Sequence, residues 1–166
     1  VLAEASNWFS RYLNKNVLLV TVAENNTRTM NPNFGSRQLS FVDGNPLNIL
    51  GEASLTDLNS RLSSPVGIEQ FRPNLVFAGG ETYAEDSWQQ VRIGSTSFEV
   101  YEACQRCMVV NIAEDTTYSK EPLATLAKYR RVGKHILFGQ NINHLMLGEL
   151  RVGDKLEVLS YAETHA

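Results

Sequence analysis

The chain has only two cysteines, and they stand three residues apart as Cys104-Gln105-Arg106-Cys107. A thiolate is both a nucleophile and a soft-metal ligand, and a guanidinium beside it favours it over the thiol, so Arg106 favours a reactive or metal-binding Cys107. Structural zinc needs four ligands, whereas the chain adds only His135, His144 and His165 to the pair. A thioredoxin-type dithiol opens a helix, but Val109, Val110 and Ile112 predict a strand over residues 107–112. A disulfide closing so short a loop gains little chain entropy. Dithiol redox and plain core filling by two small apolar side chains stay open beside a soft transition-metal centre.

The rest of the composition narrows the setting. At 166 residues with 43% hydrophobic and 20% charged side chains, the chain has the make-up of one globular domain with its own core. A net charge of −3 gives no electrostatic case for nucleic acid. No apolar run approaches the roughly 20 residues that span a bilayer. Two closely spaced cysteines are not a disulfide scaffold, which points to a reducing, cytoplasmic setting. The chain begins at Val1 without methionine and reads as a fragment of something longer.

The elements that must position the cysteines follow from periodicity. Leu2, Ala5, Trp8, Phe9, Tyr12 and Leu13 repeat at 3.6 residues and predict an amphipathic helix over 3–13. A strand is expected at 17–22. A long polar loop follows over 24–45, with turn chemistry at 30–33 and a short strand at 39–41. Further strands are expected at 46–50, 74–78, 89–93, 96–103, 107–112, 143–147 and 155–160, separated by glycine turns such as Gly79-Gly80 and Gly94-Ser95. Ser54 and Asp57 resemble a capping box opening a helix that stops before Pro65, and Pro122 begins a helix over 123–130. Trp8 and Trp88 read as packing anchors. So many short strands with three helices predict a mainly β fold, a closed or nearly closed barrel with a few peripheral helices.

Seven strings in register carry a resemblance. They are Phe71-Arg72-Pro73-Asn74-Leu75-Val76, Tyr83-Ala84-Glu85-Asp86-Ser87-Trp88, Ile93-Gly94, Cys104-Gln105-Arg106-Cys107, Glu121-Pro122-Leu123 with Leu126, Tyr129 and Arg130, Phe138-Gly139-Gln140-Asn141, and Val152-Gly153-Asp154. From about Leu39 to the C-terminus the chain resembles the MOSC domain, most nearly that of the amidoxime-reducing component and bacterial YcbX-type proteins, and more distantly the C-terminal domain of molybdenum cofactor sulfurase. The resemblance implies a single β-barrel domain over 1–166 that holds the molybdenum cofactor (molybdopterin), with Cys107 as the metal ligand. It places Arg72, Asn74, Gln105, Arg106, Gly44, Asn45, Gln140 and Asn141 near the cofactor and gives Asp43 a proton-relay role. Arg72 and Arg106 suit such a pocket on chemical grounds, since the cofactor carries a phosphate and an electron-rich dithiolene. As bare residues, Arg72 could equally pair a carboxylate, and Asp43-Gly44-Asn45 could be only a turn.

The implied function is reduction of small N-hydroxylated substrates, with electrons from a donor protein or a ferredoxin domain. The alternative is a carrier or sulfur-transfer module without reductase activity; pyridoxal phosphate would enter only through a neighbouring aminotransferase-like domain. Relatives also carry an N-terminal β-rich domain with further basic residues for the cofactor phosphate, so the chain alone is expected to fold but to purify without cofactor. Lys128, Arg130, Arg131, Lys134 and His135 form a basic patch that reads first as a solvated helix end, and second as a surface for an acidic electron-transfer partner or anionic cofactor. Glu114-Asp115-Thr116-Thr117 departs from the turn the family uses after the cysteine strand.

Overall fold

The computed structural model describes residues 2–25, 28, 29, 39, 42 and 44–162. The chain divides into two compact units, Val1–Gly44 and Asn45–Ala166. The turn expected at 30–33 and most of the strand expected at 39–41 lie outside the described residues.

In the first unit, α1 (Ala3–Tyr12) forms where the 3.6-residue period places it, with Glu4 in its first turn and Arg11 in its last, each matching the helix dipole. The strand expected at 17–22 does not form. Its residues bond to α1 instead: the Ser10 hydroxyl donates to the Val17 carbonyl and accepts from the Val17 amide, both at 3.0 Å, and the Ser6 hydroxyl accepts from the Leu19 amide at 2.8 Å. Two serines thus satisfy backbone groups that a neighbouring strand would otherwise have bonded. Trp8 is 53% exposed and stacks on Tyr12, so it is no core anchor.

The second unit is a curled, half-barrel sheet, in keeping with the mainly β expectation. Its elements are β1 (Leu47–Gly51), α2 (Glu52–Ser60), β2 (Leu75–Phe77), β3 (Trp88–Ile93), β4 (Thr96–Gln105), α3 (Leu123–Tyr129), β5 (Arg131–Val132), β6 (His135–His144) and β7 (Leu156–Tyr161). The strand order is β2-β1-β6-β4-β3-β7, with β5 added to β6. Only β1 and β2 run parallel, and α2 lies in the crossover that a parallel pair requires. β2 and β7 are the open edges.

Alternation explains the inner face. Thr96, Phe98 and Val100 of β4 are buried in turn, as are Val91 and Ile93 of β3, and they pack with Ile49, Trp88 and Ile142 in one apolar cluster. A second cluster, Leu50, Leu58, Phe71, Val110, Leu126 and Phe138, joins the helices to the sheet.

Three expectations fail for stated reasons. Residues 107–112 are not a strand: Met108–Asn111 forms a 3-10 turn that drops Val110 into the second cluster and aims Asn111 Oδ1 at the Leu123 amide, 3.0 Å away. Burial of those two side chains outweighs the β-propensity of the valines. Ser54 does not cap α2; it is buried inside the helix, and the carboxylate of Glu85 accepts from the Gly51 amide at 3.2 Å and from Ser54 Oγ at 2.9 Å. Glu85 therefore closes the helix start from another element. The strand expected at 143–147 instead runs from His135 to His144, so Phe138 to Asn141 lies within β6.

Candidate functional site

β4 ends at Gln105, where the Arg106 amide donates to the Ile136 carbonyl at 2.8 Å and the chain leaves the sheet. Cys104, still in the strand, is half-buried; Cys107, just past it, is exposed, and both are free thiols. Burial pushes the Cys104 thiol up, opposed by the charge of Arg106. The Arg106 guanidinium turns inward. Its Nε donates to the Phe138 carbonyl at 2.7 Å and its Nη1 to the Phe71 carbonyl at 2.8 Å, while Nη2 is buried without a partner among the described residues. Burial pushes its pKa down and the two sulfurs beside it push it back up. Gly139, at φ 76°, makes room: a Cβ there would lie 2.8 Å from the Ile49 carbonyl oxygen and 3.2 Å from Arg106 Nη2. Any side chain at that position collides with backbone.

Arg106 and Asn48 hold consecutive carbonyls. Arg106 takes that of Phe71, and Asn48 Nδ2 donates to that of Arg72 at 3.3 Å. Arg72 sits in the left-handed region at φ 51°, exposed, with no ion-pair partner among the described residues. Asn74 Oδ1 accepts from the Asn48 amide at 2.9 Å, and the Asn74 amide donates to the Asn48 carbonyl at 3.0 Å, which pins this left-handed corner to β1.

Across β1 and β6, Asn48 stands opposite Asn141. Asn141 Nδ2 donates to Glu102 at 3.2 Å, Asn45 Nδ2 reaches the same carboxylate oxygen at 3.5 Å, and the Tyr101 hydroxyl donates to Asn45 Oδ1 at 2.8 Å. The β4 irregularity between Val100 and Glu102 lets Glu102 rather than Tyr101 oppose Asn141. Asn143, two residues on, is 1% exposed and neither its Oδ1 nor its Nδ2 has a partner. Asn48 Oδ1 is likewise buried and unmet. The result is a polar band, partly buried, whose hydrogen-bonding capacity the described residues do not fill.

The structure thus brings together Arg72, Asn74, Arg106, Asn45 and Asn141. Gln105 is exposed at the end of β4. Gln140 points elsewhere: its Nε2 donates to Asp86 at 2.8 Å, beside the Arg130–Asp86 pair and the Tyr83–Asp57–Tyr129 hydroxyl cluster, and so it belongs to the scaffold. Gly44 falls in the first unit, and Asp43 lies outside the described residues. Asn48, Glu102, Gly139 and Asn143 were missed by the sequence reading; their signal is a polar residue or glycine at every second place of an apolar strand, as in Asn141-Ile142-Asn143.

The donor set suits a flat, hydrogen-bonding, anionic group next to a soft metal: an exposed thiol, an unpaired guanidinium, and amides offering donor and acceptor together. Among the described residues no three of His, Cys, Asp and Glu converge on a metal. A metal at Cys107 would take its other ligands from the group that carried it.

The family model of the MOSC domain matches residues 36–157. The chain belongs to the MOSC domain family. Molybdenum cofactor sulfurase of Oryza sativa subsp. japonica is 44% identical over 126 residues, covering 68% of this chain and 15% of the relative. Mitochondrial amidoxime-reducing component 1 of Homo sapiens is 42% identical over 132 residues, 74% of this chain and 39% of the relative, and that of Mus musculus is 37% identical over 172 residues, 94% and 51%. The MOSC chain therefore spans about half or less of the length of these relatives. The crystal structure of YiiM from Geobacillus stearothermophilus superposes with TM-score 0.51 at 17% identity over 70% of this chain and 55% of that one, a likeness of fold. No described helix is long and apolar enough to cross a membrane.

Proposed function

We propose that this MOSC domain holds the molybdenum cofactor, with Cys107 as the protein ligand to molybdenum, as part of an oxidoreductase that reduces N-hydroxylated compounds. The observation that carries the reading is the exposed Cys107 thiol at the end of β4, beside a polar band whose buried atoms Arg106 Nη2, Asn48 Oδ1 and the Asn143 amide lack partners. When bound, the cofactor supplies two-electron redox chemistry. Cys107 binds as the thiolate, the form in which a cysteine ligates metal. Arg106 Nη2, Asn48 and Asn143 meet the heterocycle's edges, which present donors and acceptors as amides do. Arg72, exposed and without an ion-pair partner among the described residues, takes the phosphate. Asp43 is the candidate proton donor. The likeness to the amidoxime-reducing components, which runs over 94% of the chain for the mouse protein, supports the reductase; free thiols fit a reducing, cytoplasmic compartment.

A carrier or sulfur-transfer role is the second reading, favoured by the 44% identity to the rice sulfurase. In the full-length protein, molybdenum analysis, pterin fluorescence after denaturation and reduction of an amidoxime with dithionite separate the two. The reductase retains metal and reduces substrate; the carrier retains metal and does not. Cys107→Ala is expected to abolish both metal retention and reduction while Cys104→Ala keeps most of each. Equal loss from the two changes overturns the assignment and returns the pair to dithiol chemistry.

A further inference from the structure

We infer that the basic hairpin of β5 and the start of β6, together with the end of α3, is the docking surface for an acidic one-electron carrier protein; the inference rests on the reductase reading above. Lys128, Arg131 and Lys134 are exposed, and none has an ion-pair partner among the described residues. Arg130 between them is turned inward, its Nη2 on Asp86 at 2.6 Å, its Nε on the Leu137 carbonyl at 3.1 Å and its guanidinium over the Tyr83 ring. The whole chain carries −3, so three unanswered cations within one short stretch form a local patch of the opposite sign. A solvated helix end accounts for Lys128, in the last turn of α3. It does not account for Arg131 and Lys134, which stand beyond the helix on the hairpin. At the hairpin tip Gly133, at φ 57°, supports a tight turn, and Val132 beside it is 64% exposed. An exposed apolar residue next to charged ones is in keeping with a protein-binding surface.

Its position is the second observation. Arg131 pairs with Ile136 across the hairpin, and the Ile136 carbonyl accepts the amide of Arg106, the residue before Cys107. β5 therefore lies two strand spacings, roughly 10 Å, from the cysteine segment. A carrier seated on the hairpin has its redox centre next to the place where electrons are used. Reduction of an N-hydroxylated substrate breaks the N–O bond and consumes two electrons and two protons, giving the N–H compound and water. The carrier supplies one electron per encounter and is itself oxidised, so it must dock and leave twice per turnover. Rim charges suit that duty, because they speed association without a deep apolar anchor.

The test is binding of a soluble acidic 2Fe–2S ferredoxin to the full chain by calorimetry. Affinity is expected to fall about tenfold between low salt and about 200 mM salt. The combined Lys128→Glu, Arg131→Glu, Lys134→Glu variant is expected to lose at least about tenfold at low salt with an unchanged melting curve, whereas Arg151→Glu, a single charge reversal ahead of β7, changes affinity by less than about twofold. Equal binding by the triple variant overturns the surface. So does an absence of ferredoxin binding, or a patch that instead binds phosphatidylserine vesicles or inorganic pyrophosphate and loses that binding in the triple variant. The binding result judges the surface whether or not substrate is reduced, while the dithionite assay judges the reductase reading.

Discussion

Ile142 and Asn143 are neighbours on β6, 0% and 1% exposed, and they face opposite ways into different worlds. On the side of Ile142 lie Ile49, Phe98 and Val100, and the polar residue that shares it, Gln140, reaches Asp86. On the side of Asn143 lie Asn141, opposed by Asn48, and Glu102, with four unmet side-chain atoms among Asn48, Arg106 and Asn143. Equal burial therefore conceals unequal completeness. Apart from Thr96 Oγ1, one face is finished by the fold; the other keeps capacity that the described residues do not use, and leaving a buried polar atom unmet costs about 1–3 kcal/mol. A strand that tolerates such atoms on one face only is arranged for something to arrive there.

The largest effect expected is on the finished face. Ile142→Ala removes buried methyl groups from a packed cluster drawn from five strands, and unfolding free energy should fall by about 2–5 kcal/mol, read from denaturant melts. Metal retention per folded molecule should not change, since the side chain points away from the polar band. A loss below about 1 kcal/mol means the inner face is loosely packed and the contrast is false.

How much of this was legible depends on what the residues encode locally. β1, β2, β3, β4 and β7 fell close to their expected places because turns flank their apolar runs, and α1 because its period is clean. β6 was mostly missed, the strand expected at 143–147 overlapping it only at Asn143 and His144, since Gly139, Gln140 and Asn141 interrupt its apolar pattern. Residues 17–22 and 107–112 misled because their partners, Ser6 and Ser10 in one case and the Val110 pocket in the other, are chosen by tertiary structure. The strings around Arg72 and Arg106 named segments that do meet, the Arg106 guanidinium donating to the Phe71 carbonyl next to Arg72. Asn48, Glu102 and Asn143 were invisible for a different reason: only strand register sets Asn48 across from Asn141 and Asn143 across from Glu99. Gln140 was drawn into the site by its string, although period-two alternation turns it from Asn141.

A smaller effect tests how complete the finished side is. Glu85 is fully buried, and burial raises its carboxyl above the ordinary 4.5 while the Gly51 amide and the Ser54 hydroxyl pull it back. The folded state then holds the proton more tightly than the unfolded chain. Its contribution is whole below pH 4.5 and is lost as pH rises through the raised folded value. Melting temperature measured from pH 4 upward should therefore decline more in the wild type than in Glu85→Gln, which carries no titrating proton. Matching slopes would mean that water reaches this carboxyl and that the closure of α2 is less dry than its burial implies.

The smallest effect on stability belongs to Asn143→Leu, and it separates the two faces most sharply. Leucine has the branched outline of asparagine and no polar atoms, so the change removes two unmet groups without opening a cavity, although its methyl groups are bulkier than the atoms they replace. Relief of the two unmet groups offsets the cost of the added bulk, so unfolding free energy should stay within about 1 kcal/mol of wild type. If Asn143 were an ordinary member of a satisfied network, the same change would destabilise by about 1–3 kcal/mol, as loss of a buried bond does. Pterin retention in the loaded protein reads the other half: it should drop although the fold is intact, because the amide that meets the heterocycle is gone. A variant that is as stable as wild type and keeps its pterin would leave Asn143 with no role on this face, and the ligand seat would have to be drawn from Asn48 and Arg106 alone.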